Sequence, residues 1–131
     1  MNILLVSNHK PLAFAVANVV AKKFNYVVKD YDEARQGTQT AIVEHWIVIG
    51  APSDVKEYRK LSASGYNPDL VFFIKSTSTN THDTSDSLHA ILNRFYDNII
   101  TFSSNSQMWL SEKVEKAVKE ELLQKSLKVY G

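Results

Sequence analysis

Short apolar runs alternate with longer amphipathic stretches along the whole chain. Asn2-Ile3-Leu4-Leu5-Val6-Ser7 is an apolar run too short for a helix and reads as a buried strand. The polar turn Asn8-His9-Lys10-Pro11 follows, and then Leu12 to Phe24 repeats apolar residues at close to 3.6 spacing. That spacing predicts a helix with Leu12, Ala15, Val16, Val19, Val20 and Phe24 on its buried stripe. Pro11 suits its first turn, where a missing N–H costs nothing. Strand 2 is Tyr26-Val27-Val28, ending at Lys29-Asp30-Tyr31-Asp32. The segment Glu33 to Glu44 reads as a weak helix, lowered in propensity by Gly37 and two threonines.

The same alternation continues to the end. Trp46-Ile47-Val48-Ile49 is strand 3, stopped by Gly50-Ala51-Pro52, and Ser53 is placed to cap a helix through Leu61. Gly65-Tyr66-Asn67-Pro68-Asp69 has the composition of a turn. Leu70-Val71-Phe72-Phe73-Ile74 is apolar without interruption, the pattern of a strand buried on both faces. Lys75 to Ser87, rich in Ser and Thr, reads as a loop, with Asp83, Thr84 or Ser85 available to cap a helix over Leu88 to Tyr96. Asn98-Ile99-Ile100-Thr101-Phe102 is strand 5 and Ser103 to Ser106 a loop. The last helix places Leu110, Val114, Ala117, Val118 and Leu122 on one side. The tail Gln124 to Gly131 reads as fraying from the domain. Five strands alternating with helices predict one α/β domain over residues 1–131. Its architecture is a three-layer αβα sandwich around a five-stranded parallel sheet.

Composition narrows the function classes. The chain has 131 residues, 44% of them hydrophobic and 22% charged, an ordinary globular balance. Its net charge of +1, from 15 basic and 14 acidic residues, provides no global field for nucleic acid or anionic lipid. Cysteine is absent, which removes disulfides, thiolate zinc sites and cysteine nucleophiles together. The N-terminus lacks a signal peptide's basic start, and Ile3–Val6 is far too short for its hydrophobic region. Leu12 to Ala21, interrupted by Asn18, is too short to span a bilayer, so the reading is a soluble, cytoplasmic protein.

Several stretches from residue 46 onward resemble phage-type deoxynucleoside monophosphate kinases, a P-loop family. Trp46 through Leu61 is similar to the strand-to-helix segment of that family. His82-Asp83-Thr84-Ser85-Asp86 resembles its His-x-Ser-Glu region, and Tyr96-Asp97-Asn98-Ile99-Ile100 through Val114 resembles its ending. Ala21-Lys22-Lys23-Phe24-Asn25-Tyr26 sits like the end of the first helix in small nucleotide kinases. The departures fall where chemistry is done. A P-loop needs Gly-x-x-x-x-Gly-Lys-Ser/Thr, so that backbone, ammonium and hydroxyl can hold phosphates and magnesium. Alignment on the helix end puts Ser7 and Leu12 at the glycines, Ala13 at the lysine and Phe14 at the hydroxyl. Gly50-Ala51-Pro52 replaces the acidic and arginine positions after strand 3. The resemblance therefore implies a degenerate member without kinase activity or cofactor, acting on a protein partner, as a phage accessory protein aimed at a host factor would.

In a parallel α/β sheet, ligands bind beyond the carboxyl ends of the strands. That rim collects Asn8, His9, Lys10, Lys29, Asp30, Ser53, Lys75, Ser76, Thr77, Ser78, Thr79, Ser103, Ser104 and Asn105. An alternative to the binding role is therefore a small nucleotide- or phosphate-binding enzyme using His9, Lys10 and Lys75 in place of a P-loop. Another is a flavodoxin-like or receiver-like module, separable by strand order: 2-1-3-4-5 against 2-3-1-4-5 for P-loop kinases. His82, Asp83, Asp86 and His89 do not match a compact zinc set and read as a helix cap, so no metal is expected. Trp109 and Tyr130, on the last helix, are candidate interface aromatics.

Overall fold

A computed structural model describes residues 1–37, 45–50, 55–63, 66–77 and 84–130. The order of elements is β1 (Ile3–Ser7), α1 (Lys10–Phe24), β2 (Val27–Asp30), α2 (Tyr31–Gly37), β3 (Trp46–Gly50), α3 (Val55–Ala63), β4 (Leu70–Lys75), α4 (Thr84–Phe95), β5 (Ile99–Ser103) and α5 (Gln107–Tyr130). The strands form one parallel sheet in the order β2-β3-β1-β4-β5. β1 lies at its centre, with Leu4 beside Val48 on one side and Val71 on the other. Strand 3 lies between strands 2 and 1. That is the order expected of a P-loop-like fold and not the 2-1-3-4-5 order of flavodoxin-like and receiver-like modules, which need strand 1 there.

Alternation along the strands divides the core into two layers. Ile3, Leu5, Ile47, Ile49, Phe72 and Ile74 point to one face, where α1 and α5 cover them with Val16, Val20, Leu110, Val114 and Val118. Leu4, Val6, Val48, Val71 and Phe73 point to the other face and meet Ala34 of α2, Leu61 of α3 and Leu92 of α4. β4 is buried on both faces up to Ile74, as its unbroken apolar run predicts.

Some details differ from the reading of the sequence. The buried stripe of α1 is Ala13, Val16, Ala17, Val20 and Ala21, while Ala15 and Val19 are only partly buried. Ala13, Ala17 and Ala21, four residues apart, share that stripe with Val16 and Val20 against the sheet. Tyr66, expected in a turn, is fully buried. Its hydroxyl donates to the Ile3 carbonyl and, at 3.2 Å, to the Trp46 carbonyl, tying the segment before β4 to the start of β1. Helix α5 does not stop at Gln124 but continues to Tyr130, and Lys125 Nζ is held 2.6 Å from Asp69. Leu122 is 37% exposed, off the buried stripe of that helix. α2 begins at Tyr31, ahead of Glu33. The rest of the helix expected there, residues 38–44, lies outside the described residues. No described helix is long and apolar enough to cross a membrane.

Candidate functional site

The site begins with the connection from β1 to α1. The strand ends at Ser7 and the helix starts at Lys10, so the turn is Asn8 and His9, two residues shorter at its helix side than the polarity of Lys10-Pro11 suggests. Local hydrogen bonds close it. Ser7 Oγ accepts from the His9 N–H at 3.0 Å, and Ser7 is fully buried. His9 is the N-cap of α1: its Nδ1 accepts from the Leu12 N–H at 3.3 Å, and its carbonyl accepts from the Ala13 N–H at 3.2 Å. A helix N-terminus holds a phosphate through the four N–H positions it leaves open, here His9, Lys10, Pro11 and Leu12. Two of these are bonded within the turn and Pro11 has none.

A phosphate cradle also needs successive N–H groups turned inward by residues with positive φ. Among the described non-glycine residues, positive φ occurs at Asn25 and His45, neither of them in this turn. Leu12, Ala13 and Phe14, the positions that align with the second glycine, lysine and hydroxyl of a P-loop, all lie inside α1. Ala13 is fully buried against the sheet.

The neighbouring strand ends are tied to the same turn. Asn8 pairs its amide with the backbone of Ser76: the Ser76 N–H donates to Asn8 Oδ1 at 2.8 Å, and Asn8 Nδ2 donates to the Ser76 carbonyl at 3.3 Å. Asn105 Oδ1 accepts from Ser76 Oγ at 3.0 Å and from the Thr77 N–H at 2.6 Å. The Ser104 N–H donates to the Lys75 carbonyl at 3.1 Å. Ser106 caps α5, accepting from the Trp109 N–H at 3.2 Å. The ends of β1, β4 and β5 are thus clasped by two asparagines across a buried serine.

Charge at the rim is compensated as well. Lys10 Nζ lies 2.8 Å from the Asp30 carboxylate and 5.8 Å from the centre of the Phe14 ring. Partial burial raises the Asp30 pKa, but the Lys10 ammonium and the N–H groups opening α2 outweigh it and hold the carboxyl below its ordinary value. Lys75 is exposed at the end of β4. The depression between His9, Leu12, Ser76 and Asn105 has a volume of about 240 Å³, below the roughly 300–1,000 Å³ usual for small-molecule sites.

The structure places Asn8, Ser76, Thr77 and Asn105 in hydrogen bonds with one another, while His9 bonds to Ser7 and Leu12 and Ser104 to Lys75 and Ser106. Lys10 is turned to Asp30 rather than to the depression. Ser53, Ser78, Thr79, His82 and Asp83 lie outside the described residues, as do the side chains of Asp86 and Tyr130. His89 is on α4, its ring 5.1 Å from that of Phe73, with Nε2 3.4 Å from Thr101 Oγ1. No group of three or more potential metal ligands occurs among the described residues. Trp109 is 40% exposed, set edge-on to Phe102 with Lys113 Nζ 5.4 Å above its ring. The sequence reading missed Met108, 74% exposed, and Leu123 and Leu127, 60% and 58% exposed on the second half of α5. The i, i+4 spacing of the two leucines, outside the buried stripe, was a usable signal.

The chain matches no protein-family model and no curated protein. Among solved structures it is similar to a de novo designed protein with a P-loop NTPase fold, determined in solution by NMR. The TM-score is 0.60 at 12% identity, covering 95% of this chain and 96% of that one. The likeness is one of fold. It extends over nearly the full length of both chains.

Proposed function

We propose that this protein is a non-catalytic, nucleotide-kinase-like domain that acts by binding another protein, as a phage accessory protein directed at a host factor would. The observation that carries this reading is the turn between β1 and α1. Its two residues and the first turn of α1 direct their hydrogen bonds inward, at the position where a P-loop domain holds phosphate. The strand, the helix and the sheet order around it are intact. Met108 and Trp109 expose apolar surface at the start of α5, and both residue types are enriched in protein interfaces.

The competing reading, an enzyme using His9, Lys10 and Lys75, would require His9 to leave the cap of α1 and Lys10 to leave Asp30. Both changes cost stability before any ligand is held. Affinity capture from a host lysate tests the binding role. The chain is expected to retain a specific protein that Met108→Asp, Trp109→Ala fails to retain, with the variant still folded by circular dichroism. Failure to recover any protein above an unrelated α/β control would contradict the proposal.

A further inference from the structure

The two edges of the sheet differ in how they are protected. β2 carries Lys29 and Asp30 among its four residues, and Lys29 Nζ lies 5.6 Å from the centre of the Trp46 ring and 3.9 Å from Glu33. Charge of this kind deters unwanted strand pairing. β5, at the other edge, has none. From Asn98 to Ser106 the chain holds no charged residue, proline or glycine, and Ile99-Ile100-Thr101-Phe102 is all β-branched or aromatic. Among the described residues its one strand neighbour is β4. Such an edge is a template for a further strand.

We propose that β5 pairs antiparallel with β5 of a second copy of this chain, joining two five-stranded sheets across a two-fold axis at Thr101. A two-fold axis perpendicular to the sheet keeps each face continuous, so residues of equal parity must oppose one another. Centring on Thr101 sets Ile100 opposite Phe102 of the copy, twice, on the face where both are half-buried against α1 and α5. On the other face Thr101 opposes itself and Ile99 opposes Ser103. Aromatic with β-branched and Thr with Thr are favoured cross-strand pairs. Centring on Ile100 or Phe102 would lose both mixed pairs.

Charge agrees with the antiparallel sense. Asp97 is exposed just before β5, and Lys75 is exposed beside Ser103 at its far end. Antiparallel pairing sets the acidic end of each strand towards the basic end of the other, about 12 Å apart by strand spacings, so the attraction is strongest at low salt. Two five-residue strands bury little surface, so the interface falls in the small class and association depends on concentration.

The test is the molar mass measured by sedimentation equilibrium up to roughly 1 mM, where even a millimolar Kd populates the dimer. The wild-type chain is expected to rise towards twice its own mass. Thr101→Lys, which sets two ammonium groups opposite each other at the axis, is expected to stay monomeric, and Thr101→Val to behave like wild type. Because the chain has no cysteine, Thr101→Cys gives a direct readout. Opposed Cβ atoms about 4.5–5.5 Å apart come within disulfide reach on small adjustment. Oxidation should yield a covalent dimer there, and none with Val27→Cys on the β2 edge. A wild-type chain that stays monomeric while Thr101→Cys remains uncrosslinked overturns the proposal. So does a dimer that crosslinks as well through Val27→Cys. If Thr101→Lys fails to fold by circular dichroism, the two cysteine variants decide.

Discussion

Asn8 is the residue on which the closed rim depends most. Its amide satisfies a backbone N–H and a carbonyl of Ser76, a residue that is itself buried. Asn8→Ala leaves both groups without that partner, and urea unfolding is expected to show a loss of about 1–3 kcal/mol. At the opposite end of the sheet, Asp69 joins β4 to the first residues and to α5. Its partial burial raises the carboxyl's pKa, but the Asn2 N–H at 2.8 Å and the Lys125 ammonium at 2.6 Å outweigh that and hold it below the ordinary 3.8. A carboxylate whose folded pKa is depressed contributes stability that is present above its unfolded pKa. That contribution is lost as pH falls through the folded value. Thermal melts of the wild type should therefore fall away below about pH 4. Asp69→Asn should lower the plateau near neutrality and flatten that acid limb. An acid limb as steep as wild type would contradict the assignment.

At the scale of the elements, α1 shows why a rim can be located from sequence while its use cannot. Strand, helix and the turn between them follow from apolar runs and 3.6 periodicity, and all are found in place. The function of His9 does not follow. A histidine is an unusual N-cap, and nothing in Asn8-His9-Lys10-Pro11 marks it as the acceptor for Leu12 rather than as an acid–base group. Lys10 likewise reads as a candidate for an anion until β2 brings Asp30 within 2.8 Å, a contact between residues twenty apart. Helix α5 is a similar case: its second half is tied down by Lys125 meeting Asp69, a contact between residues far apart in sequence. His9→Asp places a charged acceptor at the cap, where it also meets the positive end of the helix dipole. It is expected to raise stability by about 0.5–1 kcal/mol in chemical denaturation. A loss of stability would show that the His9 side chain does more than cap.

For the molecule as a whole, fold and function separate cleanly. The alternation of strands and helices specifies a parallel sheet covered on both faces, and the two-layered core forms from odd and even strand positions. Strand order is not encoded in any local pattern, since both 2-1-3-4-5 and 2-3-1-4-5 satisfy the same periodicities. It emerges only from pairing, with Ile3 against Ile47 and Leu70 on either side. The order found belongs to a fold whose usual phosphate site depends on one loop, and here that loop is a capped two-residue turn. The proposed function requires that this turn hold no nucleotide. Isothermal calorimetry with mono- and triphosphates, with and without magnesium, supported by thermal shift, measures this. We predict no heat of binding and no shift of the transition. A nucleotide that binds and stabilises the chain, by about 2.7 kcal/mol at a hundredfold excess over its Kd, would contradict the account.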